Sequence, residues 1–347
     1  MAYTTINKST DHFNTVLYTG NGSTNYITGV EFQPDWVWLK QRSGSASSHK
    51  LYDAVRGTTK YIASNNTGAE GTESGVTSFD SDGFTLGSAG GTNGNSETYA
   101  SWNWKAGGSG SANTDGSINT TVSANTTAGF SIVTYTGNGQ SGNNTFGHGL
   151  GTAPQLIMWM PRSGTTNKHF WSHALPLSGG EYQAMQLNLT NAASPFGSSS
   201  VMNGQAPTST VFTLENADYN NNGATYVAYC FAEKTGFSKF GSYTGNGSTD
   251  GPMIFTGFKP ALFICKRISN AGNWMMYDNK RDTHNLAQDY IYANSSQAAA
   301  SNSSGFDFLS NGIKIRNTFG DANINGDTFI YMAFGQSLVG SNNVPCT

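Results

Sequence analysis

Apolar residues in this chain fall in short runs without a helical rhythm, and the runs recur in the same order three times. Each series opens with a run entering Tyr-Thr-Gly-Asn-Gly, at residues 18–22, 135–139 and 243–247. In the second, Gly-Phe-Ser-Ile-Val-Thr-Tyr135 alternates as a strand does, and Gly-Asn-Gly then forces a turn because both glycines can take φ > 0. A proline-led run follows: Pro34-Asp-Trp-Val-Trp-Leu-Lys40, Pro154-Gln-Leu-Ile-Met-Trp-Met160 and Pro260-Ala-Leu-Phe-Ile-Cys-Lys266. Proline suits the first residue of a strand, where no ladder donor is needed. Turns at Arg42-Ser-Gly, Arg162-Ser-Gly and Ile268-Ser-Asn lead into the returning runs Lys50-Leu-Tyr-Asp-Ala-Val, His169-Phe-Trp-Ser-His-Ala and Trp274-Met-Met-Tyr-Asp-Asn, the pattern of a hairpin. Shorter strand candidates lie at 60–65, 186–191 and 290–295, then at Gly83-Phe-Thr-Leu, Val211-Phe-Thr-Leu and Gly312-Ile-Lys-Ile. Each series closes on an aromatic run, ending at Trp104, Phe231 or Phe334, that is apolar on both faces and expected to be a central strand covered on both sides.

The signatures are 135 − 18 = 117 and 243 − 135 = 108 residues apart, long enough for each copy to be a small domain. Many short strands joined by Gly/Asn/Ser turns predict an all-β chain of three tandem, related antiparallel β-sandwich modules, jelly-roll or lectin-like. The expected modules are residues 1–107, 128–235 and 236–347, with 108–127 as a Gly/Ser/Asn/Thr-rich linker. The junction near residue 235 is expected to be the stiffer of the two.

Composition sharpens this reading. Charged residues are only 11%, whereas 43 glycines, 16 Tyr, 20 Phe and 7 Trp favour strands and turns. A net charge of −3 with no basic stripe argues against nucleic acid. No window approaches 18 consecutive apolar residues and the first residues lack a secretory pattern, so a soluble chain without membrane insertion is expected. Cys230, Cys265 and Cys346 have no metal-ligand spacing; the first two lie in apolar runs and read as buried hydrophobes.

Candidate chemistry is sparse. His148, His169, His173 and His284 are matched by no histidine in the other copies, and no nucleophile-elbow or zinc-protease motif occurs. The stretch from Gly137 to Gly142 formally matches G-x-G-x-x-G, but no helical period follows it, so it reads as a β-turn. Asp218-Tyr-Asn-Asn-Asn-Gly223 and Asp321-Ala-Asn-Ile-Asn-Gly326 share the D-x-N-x-N-G spacing of calcium loops. The twelfth-position Glu is replaced by Tyr229 and Met332, which favours ordinary hairpin loops. Trp36, Trp38, Trp102 and Trp104 are expected in the core, and Trp171 and Trp274, near turns, at the surface. No catalytic, cofactor or metal residues are assigned, and no enzyme activity is expected. Function is expected where the copies differ, in the Asn-rich loops and at 140–150, 160–183 and 268–290.

Long motifs then narrow the choice: Val122-Ser-Ala-Asn-Thr-Thr-Ala-Gly-Phe-Ser-Ile-Val-Thr-Tyr-Thr-Gly-Asn-Gly139, Gly147-His-Gly-Leu-Gly-Thr-Ala-Pro154 and Tyr226-Val-Ala-Tyr-Cys-Phe-Ala-Glu-Lys-Thr-Gly-Phe-Ser-Lys-Phe-Gly-Ser-Tyr-Thr-Gly-Asn-Gly247. These resemble a repeat family of tailed-bacteriophage virion structural proteins, frequent in marine phages. The resemblance implies a non-enzymatic protein with lectin-like sandwiches on the external surface of the virion, a tail-fibre-type component or adhesin contacting the host. The alternative it implies is a capsid decoration or knob protein bound to the head, and a polysaccharide-degrading tail enzyme ranks below both. Implied partners are other virion proteins and host surface glycans, with a homotrimer by analogy. The resemblance carries no site residues over.

Overall fold

The structure is a computed structural model and describes residues 3–178, 180–194, 202, 204–214 and 217–341. It is built almost wholly of antiparallel strands, with helical turns at Gly90–Asn93 and Ala217–Asn220. The same four-strand order recurs at each signature. In the first, Phe13–Thr19 pairs with the closing strand Thr98–Trp104, which pairs with the proline-led strand Trp36–Gln41, which pairs with Lys50–Asp53. Phe130–Thr136, Thr225–Phe231, Leu156–Pro161 and His169–Ser172 repeat that order, as do Ser238–Thr244, Thr328–Gln336, Lys259–Arg267 and Trp274–Asp278. Registers coincide: Trp36 faces Trp104 where Leu156 faces Phe231 and Leu262 faces Phe334. The closing strands are thus central in their sheets, as their two-faced apolar runs predict.

Alternation along these strands sends side chains to two cores. Val37 and Leu39 face a small second sheet and pack with Ile27, Phe84 and Leu86; Phe263 and Cys265 pack likewise with Ile254, Ile313 and Phe306. The other faces, carrying Trp36, Trp38, Trp102, Trp104, Leu156, Met158, Tyr229, Phe231, Ile264, Met332 and Phe334, belong to one cluster drawn from all three copies. Copy 2's own core, where Trp159 meets Phe212 at 5.9 Å, is continuous with it. The expectation of separate sandwiches in a row therefore gives way to sheets that share a central core.

Residues 108–127 are not a linker. Ser111–Asn113 and Thr120–Asn125 are strands that extend the second sheet beyond Phe130–Thr136. Their glycines serve the backbone: a Cβ on Gly116 would lie 2.3 Å from the Thr145 carbonyl oxygen, and Gly108 and Gly110 turn the chain with φ of 82° and 84°. Composition alone cannot separate this use of glycine from flexibility.

The signature is a clasp built identically three times. Its tyrosine donates to a carbonyl in the loop before the closing strand: Tyr18 to Thr92, Tyr135 to Tyr219 and Tyr243 to Ala322, at 2.7, 3.1 and 2.7 Å. A buried asparagine in that loop accepts the N–H of the signature asparagine: Asn93 from Asn21, Asn220 from Asn138 and Asn323 from Asn246, at 2.9–3.0 Å. Only the second signature glycine is left-handed, with φ of 69°, 68° and 64°. The first is needed for space, since a Cβ on Gly20, Gly137 or Gly245 would come within 2.2–2.4 Å of a carbonyl oxygen. Asn93 also donates to Asn21, Ser23 and Gly87. Asn93→Ala removes these part-buried hydrogen bonds together, and a loss of about 1–3 kcal/mol is expected, read as a lower urea midpoint at unchanged slope.

Candidate functional site

The three copies meet along three seams of equivalent construction. One main-chain hydrogen bond recurs in each: Glu70 N–H to the Arg162 carbonyl, Ala193 to Ile268 and Ala299 to Arg42, at 2.9, 2.9 and 3.0 Å. Copies one and two, two and three, and three and one are thereby joined, closing a ring. The register places His49, Lys168 and Trp274 at one equivalent position, and each sends a side-chain nitrogen to a carbonyl of the neighbouring copy. His49 Nδ1 accepts the Trp38 indole N–H at 2.8 Å, so Nε2 carries the proton it donates to Tyr292 O at 3.0 Å. Lys168 Nζ reaches Gly68 O at 2.7 Å and Trp274 Nε1 reaches Gln186 O at 3.1 Å.

Two buried ion pairs lie in these seams. At the first, Asp53 Oδ2 accepts from Arg56 Nε at 2.5 Å and from the Tyr229 hydroxyl of copy 2 at 2.7 Å. Burial works against the Arg56 charge, but Asp53, Tyr229 and Glu70 around it more than offset that and raise its pKa. Glu70 bridges onward to Arg162 Nε at 2.9 Å. At the third, Asp278 pairs with Arg281 at 2.6 Å and accepts the Trp102 indole N–H at 3.1 Å. At the second, the equivalent residues are Ser172, Leu175 and Met332, all buried and without charge.

Each seam also buries a lysine. Lys40 donates to Ser296 O at 3.3 Å and Lys266 to Thr190 O at 3.2 Å, as Lys168 does to Gly68. Burial pulls Lys40 and Lys168 down to about 8 and Lys266 to about 7. Burial likewise takes His169 down to about 3. In each case the unfolded chain binds more protons between the folded and the unfolded pKa, so stability rises with pH across that window. For His169 the window runs from about 3 to the ordinary 6.5, and for the lysines from about 7–8 to 10.5. The melting temperature should therefore rise from pH 7 toward pH 9. It should level off and turn down above that, because burial holds the Cys230 and Cys265 thiols, ordinarily 9, and the Tyr18, Tyr135 and Tyr243 hydroxyls, ordinarily 10, protonated in the fold. Lys266→Met, the residue that copy 2 carries as Met160, should lessen the rise between pH 7 and 9.

Sequence candidates fall out as follows. Trp36, Trp38, Trp102 and Trp104 are core residues as expected. Trp171 and Trp274 are not surface residues: both are 2% exposed, Trp171 edge-on to Tyr182 and Trp274 against Phe170 at 4.7 Å. The turns beside them are covered by the neighbouring copy or by the chain's own loop. Gly137 and Gly139 donate their N–H groups to Ala224 O and Asn220 O, and the strand Asn144–Gly147 follows the turn, not a helix. Both Asp321 oxygens accept from Asn273, at 2.7 and 3.0 Å, and the third-position asparagines of the two D-x-N-x-N-G loops are the clasp residues. The Asp218 side chain and Cys346 lie outside the described residues. Cys230 and Cys265 are buried free thiols, pushed up by burial, Cys265 to about 12. His148, His169, His173 and His284 lie in separate surroundings, the first two buried. Much of 160–183 and 268–290, where the copies diverge, forms the seams themselves. Among the described residues no group of three His, Cys, Asp or Glu could hold a metal ion, and no helix is long and apolar enough to cross a membrane.

Outside the seams lie several hollows. One of about 330 Å³ is lined by Gly, Ser, Ala, Asn and Val residues at 107–113, 122–124 and 149, on the strands added to the second sheet. That between copies three and one is about 170 Å³, with Lys259 and Lys280 on its wall. The one between copies two and three is about 430 Å³ and bears the exposed rings of Tyr3 and Phe255 beside Glu233 and Lys239. Neither Tyr3 nor Phe255 stands out in the sequence, since each sits in a short segment without a motif.

Fold and seams define an all-β protein whose three similar sheets close around one core. Residues 8–337 match the family described as a domain of unknown function (DUF7483), and the chain belongs to that family. No curated protein and no solved structure matches it significantly.

Proposed function

We propose that the chain is a non-enzymatic structural protein on the exterior of a tailed-bacteriophage virion, a tail-fibre-type component that contacts the host surface. Its three copies are read as repeats of one β-sandwich module closed into a ring. The observation that carries this reading is the core shared by all three copies. The buried ionic groups that could serve catalysis, Asp53–Arg56 and Asp278–Arg281, hold the ring together, which suits a rigid building block. The virion reading rests on the resemblance of the motifs around the signatures. That a single family match spans all three copies fits a unit used as a whole. Gold-labelled antibody against the chain, applied to intact phage particles carrying this gene, should decorate the tail. Label on the head would replace this reading with capsid decoration, and particles without label would overturn both.

A further inference from the structure

We infer that the hollow between copies two and three is a binding site for an uncharged sugar; the inference rests on the reading of the chain as a host-contacting surface protein. Unlike the hollow between copies three and one, this one presents exposed aromatic faces. Phe255, at the end of the edge strand Met253–Phe255, is 65% exposed, and its register equivalents in the other copies are Thr28 and Gly147. Tyr3, 42% exposed, is held over the site by its hydroxyl, which donates to Gly257 O at 2.7 Å. Gly257 has a φ of 84°, and a Cβ there would sit 2.5 Å from the Tyr3 hydroxyl oxygen. Glycine at this point is what lets the ring lie down.

The polar side of the hollow is fixed in advance. Glu233 Oε1 accepts the Phe240 N–H at 2.6 Å and Oε2 pairs with Lys239 at 3.1 Å, while Gln155 Oε1 accepts the Glu233 N–H at 2.7 Å. A carboxylate, an ammonium and an amide thus face the same space with no net charge. That disfavours a phosphate or a cation and suits hydroxyls, which both donate and accept. The apolar C–H face of a pyranose fits against an aromatic ring, and a volume of about 430 Å³ is in the usual range for small-ligand sites. The mixed lining is too polar for a lipid chain.

Saturation-transfer NMR on the purified full chain, with glucose, galactose, N-acetylglucosamine and their β-linked disaccharides as probes at 10 mM or below, tests the site. At least one probe should receive saturation, and Phe255→Ala should weaken its binding about 3- to 10-fold without lowering the melting temperature. Tyr26→Ala, removing an aromatic that is 74% exposed elsewhere, should bind as the wild type does. Binding of no probe, or equal binding by Phe255→Ala, overturns the site. Antibody label on the tail together with no sugar binding removes this inference and leaves the virion reading standing; sugar binding through Phe255 with no label on particles does the reverse.

Discussion

Replacing Trp36 by alanine will cost about 3–5 kcal/mol, and the loss will be felt by the whole chain, not by residues 1–107 alone. Trp36 is fully buried and lies where copies one and two meet. Its ring is 5.7 Å from Trp38 and 4.4 Å from Trp104 in its own copy, and 5.6, 4.4 and 6.0 Å from Phe130, Tyr229 and Phe231 in the next. Alanine opens a void that rigid rings on both sides cannot fill, so both transfer and cavity terms apply. Trp36→Phe should lose much less, because it keeps an aromatic in place and removes an indole N–H that has no acceptor. Urea unfolding followed by far-ultraviolet circular dichroism gives both values. A Trp36→Ala chain that melts in two steps, with copies two and three unchanged, would show that the contact across the seam carries little energy.

Arg56→Leu is the second large effect, with an expected loss of about 3–5 kcal/mol, because it leaves the buried Asp53 carboxylate without its cation. The protein contains its own control. Where copy 1 has Asp53 and Arg56 against Tyr229, copy 2 has Ser172 and Leu175 against Met332. The triple variant Asp53→Ser, Arg56→Leu, Tyr229→Met copies that uncharged seam and should recover most of the loss, returning to within about 1–2 kcal/mol of the wild type. Denaturant midpoints for the single, double and triple variants measure the coupling. If the triple variant is no more stable than Arg56→Leu, the ion pair does more than offset its own desolvation.

Much of the fold is legible in the sequence. The signature fixes the repeat register, proline marks the strand beside the closing one, and the aromatic runs mark the sheet centres. Ring closure is not legible, because an apolar face reads the same whether its own small sheet or a neighbouring copy covers it. Residues that could have signalled it are Asp53-x-x-Arg56 and Asp278-x-x-Arg281, a recurring ion pair after an apolar return strand, and Lys40 and Lys266 ending apolar runs. Charges placed there need partners, and the partners lie across the seams. The glycines of 108–127 mislead for a related reason: tight backbone approach and chain flexibility use the same residue. Trp171 and Trp274 mislead because proximity to a turn says nothing of what the next copy places over it. The sugar site combines Tyr3, Glu233 and Phe255, which are far apart in the chain and meet only because the N-terminal segment lies along the third copy.

Differential scanning calorimetry of the intact chain tests the shared core most directly. One cooperative unit predicts a single transition with a van't Hoff enthalpy equal to the calorimetric one, roughly 240 kcal/mol near 60 °C for 347 residues at about 0.7 kcal/mol each. Resolved transitions, or one endotherm whose van't Hoff enthalpy is about a third of the calorimetric value, would mean three domains folding independently and would contradict it.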